Sequence, residues 1–204
     1  MSAPDPSSTF ELRHAATDRA TIVVVPRRRL FVIDGVGEPT ASGYRLATET
    51  LRAVSEALRR RLRAARVVDI GKALVETAWW THPELEPGQM AEAFADRSAW
   101  HWQQLVEIPG RATPDDESAA LDEVRRRAAR EAPLVRVVEI VEGRSAQILN
   151  LGSATEAASV KRLAAEIAAA GLRPHGHLHQ IFLSDPEATD RARARSILRL
   201  PIEA

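Results

Sequence analysis

What constrains this chain most is an order of segments that it runs through twice. In the first half, Ile33-Asp34-Gly35-Val36-Gly37 ends an extended run and leads through a loop into an amphipathic helix. In the second half, Ile148-Leu149-Asn150-Leu151-Gly152 does the same. Two further extended segments follow each helix, and each half ends a strand at proline, at Ile108-Pro109 and at Leu183-Ser184-Asp185-Pro186. The pattern is a β-α-β-β unit used twice. One unit leaves a sheet face that it cannot bury alone, so two units joined side by side share a sheet and leave a cleft between them. The expected fold is therefore α+β, with a loose start over residues 1–19 and one domain over 20–204. Its pseudo-repeats cover about 20–112 and 113–204.

The segments follow from local pattern. Thr21–Val25 and Leu30–Val36 are β-branched and extended. From Tyr44 to Ala64, Leu46, Leu51, Val54, Ala57, Leu58 and Leu62 recur at helical spacing. Val67–Ile70 and Lys72–Trp80 read as extended, a short helix-like piece follows Gly88, and Ala99–Ile108 is a strand ended by Pro109 and Gly110. Pro114–Glu131 is a helix whose acidic start, Asp115 to Glu117, suits the positive end of the helix dipole. Leu134–Val141 and Ser145–Leu151 are extended. Thr155–Ala170 is a helix with Thr155 as N-cap and Gly171 as its stop. His177–Leu183 is a strand, Asp185–Pro186 a turn, and Ala194–Ile202 a short helix-like turn with a closing strand.

Composition narrows the function classes. Lys+Arg and Asp+Glu both number 28, so the formal net charge is zero and the Arg-rich runs are compensated helix faces. No basic stripe with interleaved aromatics points to nucleic acid. Cysteine is absent, which removes disulfides, thiolate nucleophiles and Cys-based zinc sites. The polar start MSAPDPSSTF lacks the apolar core of a secretory signal, and no apolar run has the length of a membrane span. A cytoplasmic protein with no membrane partner is expected. GVGEPTASG has neither phosphate-loop spacing, so no nucleotide is expected. His177 and His179 share a strand face, but HxH without a third ligand does not define a metal site, and neither metal nor cofactor is expected.

Aromatic residues make up only 4% of the chain, yet all four tryptophans fall between Ala78 and Ile108, as Trp79-Trp80 and as Trp100 with Trp102. Trp100 and Trp102 have strand spacing and share a face, with His101 between them pointing away. Aliphatic residues would suffice for a core. Large flat rings gathered in one segment are what a pocket for a flat aromatic ligand requires, although closing a small core would use them too. Met90 and Phe94 belong to a short helix over the cleft, as a lid or as core.

The runs VETAWW, DRSAWHWQQLVEIP, AREAPLVRVVEIVEGRSAQILNLG, HLHQIFLSDP and ILRLPI, in that order, resemble the GyrI-like small-molecule-binding family in its stand-alone form. The resemblance spans about Thr21 to Ile202. It implies a duplicated β-α-β-β, SHS2-like fold that binds aromatic, drug-like molecules between the repeats. It resembles the cyclopropanoid cyclopropyl hydrolase subfamily, whose members open the strained ring of spirocyclopropane DNA alkylators inside an aromatic cage and protect the cell. The family's Trp pair falls on Trp79 and Trp80, its preceding Glu on Glu76, and its DRxxWxW run on Asp96, Arg97, Trp100 and Trp102. Its Glu-Ile-Tyr-Leu-Ser-Asp-Pro appears as Gln180-Ile181-Phe182-Leu183-Ser184-Asp185-Pro186, so an amide replaces a carboxylate and a phenyl a phenol. Asn150-Leu151-Gly152-Ser153-Ala154 stands where the family has His-x-Gly-Pro-Tyr. The resemblance thus implies ligand contacts from Trp79, Trp80, Trp100, Trp102 and Phe182. Gln180 or Tyr44 would donate to the oxygen that gains charge or orient a water, and Glu76 is the candidate carboxylate for holding that water. The alternatives are a protein that sequesters such a molecule without changing it, and an inhibitor that acts by binding another protein.

Overall fold

β-Branched runs make the first strands, which end at proline and at glycine. β1 (Thr21–Val25) and β2 (Arg28–Val36) are joined by Pro26 and Arg27, and the chain leaves β2 through Gly37 at φ 107°, a conformation that favours glycine. α1 (Ser42–Ala64) buries Tyr44, Ala47, Leu51, Val54, Leu58 and Leu62 on one stripe. Leu46 was expected on that stripe but lies one residue off it and is 38% exposed. β3 (Val75–Trp80) and β4 (His101–Glu107) flank α2 (Pro87–Ala93), which starts with Pro87 and a reciprocal Glu86–Gln89 capping box. α3 (Pro114–Arg127) carries its acids in the first turn and its arginines in the last, as the helix dipole favours. β5 (Arg136–Ile140), β6 (Gly143–Leu151), α4 (Glu156–Ala169), the two-residue β7 (Arg173–Pro174), β8 (Leu178–Phe182) and β9 (Arg195–Glu203) complete the order.

This computed structural model describes residues 13–68, 70–94, 96–127, 132–152, 156–185, 190 and 192–203. The N-cap expected at Thr155, the helix tail expected at 128–131, the turn at Pro186 and the first part of the loose start lie outside them. Two expectations fail. The described residues of 67–70 form no strand, and of the helix-like turn and closing strand expected over 194–202 the strand is present, as the nine-residue β9, while the helix-like turn is not. β9 lies between β6 and β8 and is buried on both faces, so it reads as an apolar run without the alternation of a half-exposed strand.

All main strands form one antiparallel sheet in the order β1-β6-β9-β8-β3-β4-β2-β5, with β7 on β9. The register reveals the duplication. Leu30↔Glu107 and Val36↔His101 in the first half recur as Ser145↔Pro201 and Leu151↔Arg195 in the second. The outer strands are exchanged between halves: β1 pairs with β6, and β5 pairs with β2. Thr77↔Gln180 is the pair at the centre of this twofold relation, where β3 meets β8. The echo at Ile33–Gly37 and Ile148–Gly152 is thus a true one. The two proline stops are not equivalent, because β4 corresponds to β9 and β3 to β8.

The exchange makes the sheet curl. Six strand spacings separate β1 from β2, about 29 Å if flat, yet the bridge from Val25 to Arg28 can span only about 11 Å. α1 and α4 cover one face, where Tyr44, Thr48 and Ser159 reach Thr77, Gln104 and Asn150. The bridges cross the other face. There Arg28 donates to both Glu76 oxygens (2.9 and 3.1 Å) and to Glu142, and Glu76 bonds His179 Nδ1. Residues 13–17 of the expected loose start are tied to this second face: Arg13 pairs with Glu107 at 3.0 Å, and the Ala15 carbonyl accepts from Gln147 at 3.0 Å. No helix among the described residues is long and apolar enough to cross a membrane.

Candidate functional site

Strand parity sorts the tryptophans. Trp79 pairs with Trp102 across β3 and β4, so both rings rise on the helix-bearing face. Trp100, just before β4, joins them at 6.3 Å from Trp79, edge to face. Tyr44 from α1 stacks on Trp79 at 5.6 Å and meets Trp102 edge-on at 5.2 Å, and Phe94, just after α2, meets Trp100 at 5.3 Å. The sequence left open which of Trp79 and Trp80 joins this group; Trp79 does, and Trp80 points to the opposite face, stacked between His101 (5.7 Å) and His177 (4.4 Å). Adjacent strand residues cannot share a face.

The expected open cage is a closed cluster. Trp79 has no exposed surface and Trp100 and Trp102 are each 3% exposed, with Phe94 against Trp100 and Met90 in the same buried cluster. Trp102 lies directly across Gly35: a methyl group there would sit 2.1 Å from its Cζ2. Gly35→Ala is therefore expected to force the indole aside and destabilise the fold by about 1–3 kcal/mol, the usual cost of overpacking. Urea unfolding checks this, and a midpoint unchanged from wild type would mean that the ring moves freely.

The cluster carries polar groups that a core has no use for. The Trp79 indole N–H donates to Gln180 Oε1 at 3.3 Å, and Gln180 Nε2 donates to Glu156 Oε1 at 2.8 Å. The other Glu156 oxygen accepts from Arg97 Nη2 at 3.1 Å, and the Arg97 guanidinium lies 4.9 Å from the Trp79 ring centre and 4.4 Å from that of Phe94. Arg97 and Glu156 side chains are each only 14% exposed. The Trp102 indole N–H is buried without a partner. Tyr44 donates or accepts at Thr77 Oγ1 (2.7 Å), and burial pushes its phenol up to about 12, against the opposing effect of that bond. It stays a neutral hydroxyl.

Of the expected residues, Gln180, Tyr44, Trp79, Trp100 and Trp102 come together. Glu76 does not. It faces the other side, 4% exposed, between Arg28 and His179. Burial alone would push its carboxyl up, but Arg28 and the bond to His179 hold it well below the usual range. Phe182 shares the face of Gln180 but lies two residues further along β8, at a separate cavity. Sequence reasoning missed Glu156. It follows the helix start closely, where an acid has an ordinary reading as a partner of the helix dipole, and nothing local marks its reach to Gln180. Glu76, Glu142 and His179 are the group with metal-like spacing among the described residues, their ligand atoms within 4.8 Å of one another. Arg28 already bridges both carboxylates and supplies the positive charge there.

No protein-family model matches the chain, and no curated protein matches it. Solved structures do. An uncharacterized conserved protein from Listeria innocua superposes with a TM-score of 0.81 at 23% identity, over 97% of this chain and 98% of that one. A hydrolase from Listeria innocua gives 0.76 at 22% identity over the same shares. The EcmrR C-terminal domain gives 0.55 at 11% identity, over 91% of this chain and 97% of that one. At such identities the likeness establishes a common fold.

Proposed function

We propose that the chain binds a flat aromatic small molecule over Trp79, between the two halves of the sheet, and opens a strained cyclopropane in it by hydrolysis. The observation that carries this reading is the part-buried polar chain Arg97–Glu156–Gln180, which ends on the Trp79 indole inside an aromatic cluster. Packing alone would be better served by apolar side chains, because buried polar groups cost free energy unless they are paired. The hydrolase likeness and the GyrI-like resemblance point the same way. Entry requires α2, with Met90 and Phe94, to lift from Trp100, since Trp79 is fully covered.

The chemistry asks little of the protein. In a spirocyclopropane conjugated to a dienone, a water oxygen bonds to the ring CH₂ as one cyclopropane C–C bond breaks. The released pair passes through the conjugated system to the carbonyl oxygen, which becomes a phenolate. The water proton leaves to a base and a proton ends on that oxygen. Trp79, Trp100 and Trp102 hold the flat ring system. Glu156 takes the water-holding role first expected of Glu76, because it is the carboxylate on the aromatic side. Gln180 orients by hydrogen bonding and cannot accept the proton. Arg97, already stacked on Trp79, stabilises the oxygen that gains charge. A second reading, sequestration without turnover, is favoured by the amide at Gln180.

Incubation with a spirocyclopropyl dienone followed by mass spectrometry tests both. A product heavier by one water establishes the hydrolase, and unchanged mass with saturable tryptophan quenching establishes the binder. Neither signal would overturn the proposal. Trp100→Ala is expected to weaken binding by about 2 kcal/mol in a chain that still folds, as loss of a central aromatic contact typically does. Normal binding together with a lost unfolding transition would make these rings plain core.

A further inference from the structure

The helix-bearing face holds a second feature. A cavity of about 410 Å³ opens between α1 and the ends of β3, β4 and β8 away from the tryptophans, floored by Val75, Val106 and Phe182. Along the three strands this face runs in rows: Val75, Val106 and Phe182 under the cavity, then Thr77, Gln104 and Gln180, then Trp79, Trp102 and Leu178. The outer rows are four residues apart, about 13 Å, with the buried polar row between them. The cavity is therefore separate from the aromatic cluster. Its volume falls in the range of roughly 300–1,000 Å³ typical of small-molecule sites.

Ser55, Glu56 and Ser184 bring polar groups to its wall, and of these Ser55 is buried. Ser55 lines the cavity and is 3% exposed, and its Oγ accepts from Arg59 Nε at 3.2 Å, which leaves the hydroxyl proton to be donated. Arg59 is itself buried. Its Nη1 donates to the Ile70 and Gly71 carbonyls, each at 2.7 Å, and it forms no ion pair with a carboxylate among the described residues. A guanidinium without a carboxylate behind a hydroxyl raises the positive potential there and strengthens the hydroxyl as a donor. At the mouth, Arg52 and Asp185 pair at 3.1 Å, half-exposed, and Glu56 pairs with Arg63 at 3.0 Å, so the rim charges offset each other.

We propose that this cavity is a second ligand site, which takes an uncharged molecule of two or three fused rings and receives its carbonyl oxygen at Ser55. Apolar floor, balanced rim and a single backed donor select that chemistry against an ion of either sign. The proposal stands independently of turnover at Trp79.

Calorimetric titration with 2-acetylnaphthalene, and with naphthalene as the matched probe without the carbonyl, tests it on wild type, Ser55→Ala, Val106→Phe and Trp100→Ala. Ser55→Ala is expected to weaken the ketone about fivefold, the usual effect of losing one neutral hydrogen bond, and to leave naphthalene unchanged. Val106→Phe fills the floor and abolishes the binding of both probes at this cavity, which is the component that Trp100→Ala retains once the flat-ring site at Trp79 is weakened. If Val106→Phe fails to fold, the ketone-against-naphthalene contrast in Ser55→Ala decides alone. The proposal is overturned if Ser55→Ala binds both probes like wild type, if binding vanishes in Trp100→Ala, or if wild type binds neither. Water addition to a spirocyclopropane is unaffected by any of these outcomes, so the two sites fail separately.

Discussion

Glu76→Ala is expected to cost about 3–5 kcal/mol of stability, because it takes from the buried Arg28 guanidinium the carboxylate that holds two of its bonds and from His179 its partner. Arg28 is 4% exposed and spends two of its bonds on Glu76 and one on Glu142, while Glu142 also lies 3.6 Å from Arg199. Removing one partner strands the rest. Removing both is another matter: Arg28→Met with Glu76→Leu is expected to cost less than Glu76→Ala alone, since a buried ion pair gains little over apolar packing. Urea unfolding of both variants beside wild type checks this, and a double variant less stable than Glu76→Ala would refute it. The network also sets a pH dependence. The Glu76 carboxyl is held well below its usual value in the folded chain, so its contribution is complete above the unfolded value of about 4.3 and is lost as pH falls below that. The stability gap between wild type and Glu76→Gln should therefore narrow on acidification from neutral to about pH 3. A gap that stays constant would mean that the charge of Glu76 contributes nothing.

Turnover, where it occurs, is expected to fall by about 10²–10³-fold in Glu156→Gln and to stay near wild type in the same substitution at Glu76. Glu156 is the carboxylate on the aromatic side, bonded to Gln180 and Arg97, whereas Glu76 lies beyond the sheet. Both changes keep shape and remove charge, so neither opens a cavity. Glu76→Gln destabilises, and rates are compared at a temperature where both variants are folded by circular dichroism. A rate that drops at Glu76 and not at Glu156 would return the water-holding role to the first strand carboxylate. Gln180→Glu adds a third test: if turnover rises, the amide limits proton transfer in this chain.

The parts legible in the sequence were those fixed by short-range pattern. α1 announced itself by the spacing of Leu51, Val54, Leu58 and Leu62, and α3 by acids at its start and arginines at its end. The echo of Ile33–Gly37 in Ile148–Gly152 reflects a real equivalence of ladder positions. β9 was read only in part, as a closing strand after a helix-like turn, because a strand buried on both faces loses its alternation. The proline echo was matched to the wrong strand, since proline stops a strand wherever it falls. Parity along β3 placed Glu76 and Trp80 together and away from Trp79, but it could not say which side meets Trp102.

The sequence by itself determined the duplicated α+β plan and the gathering of tryptophans, because helix period, strand alternation and turn residues act over a few positions. Tertiary structure alone decided the register that puts Trp79 opposite Trp102, the exchange of β1 and β5 that curls the sheet, and the meeting of Glu156 with Gln180. It also decided that Glu76 is an ion-pair residue rather than a wall of the aromatic site. Those outcomes depend on which distant strands pair and on where α4 begins relative to β8. Such contacts join residues far apart in the chain, and no local preference encodes them.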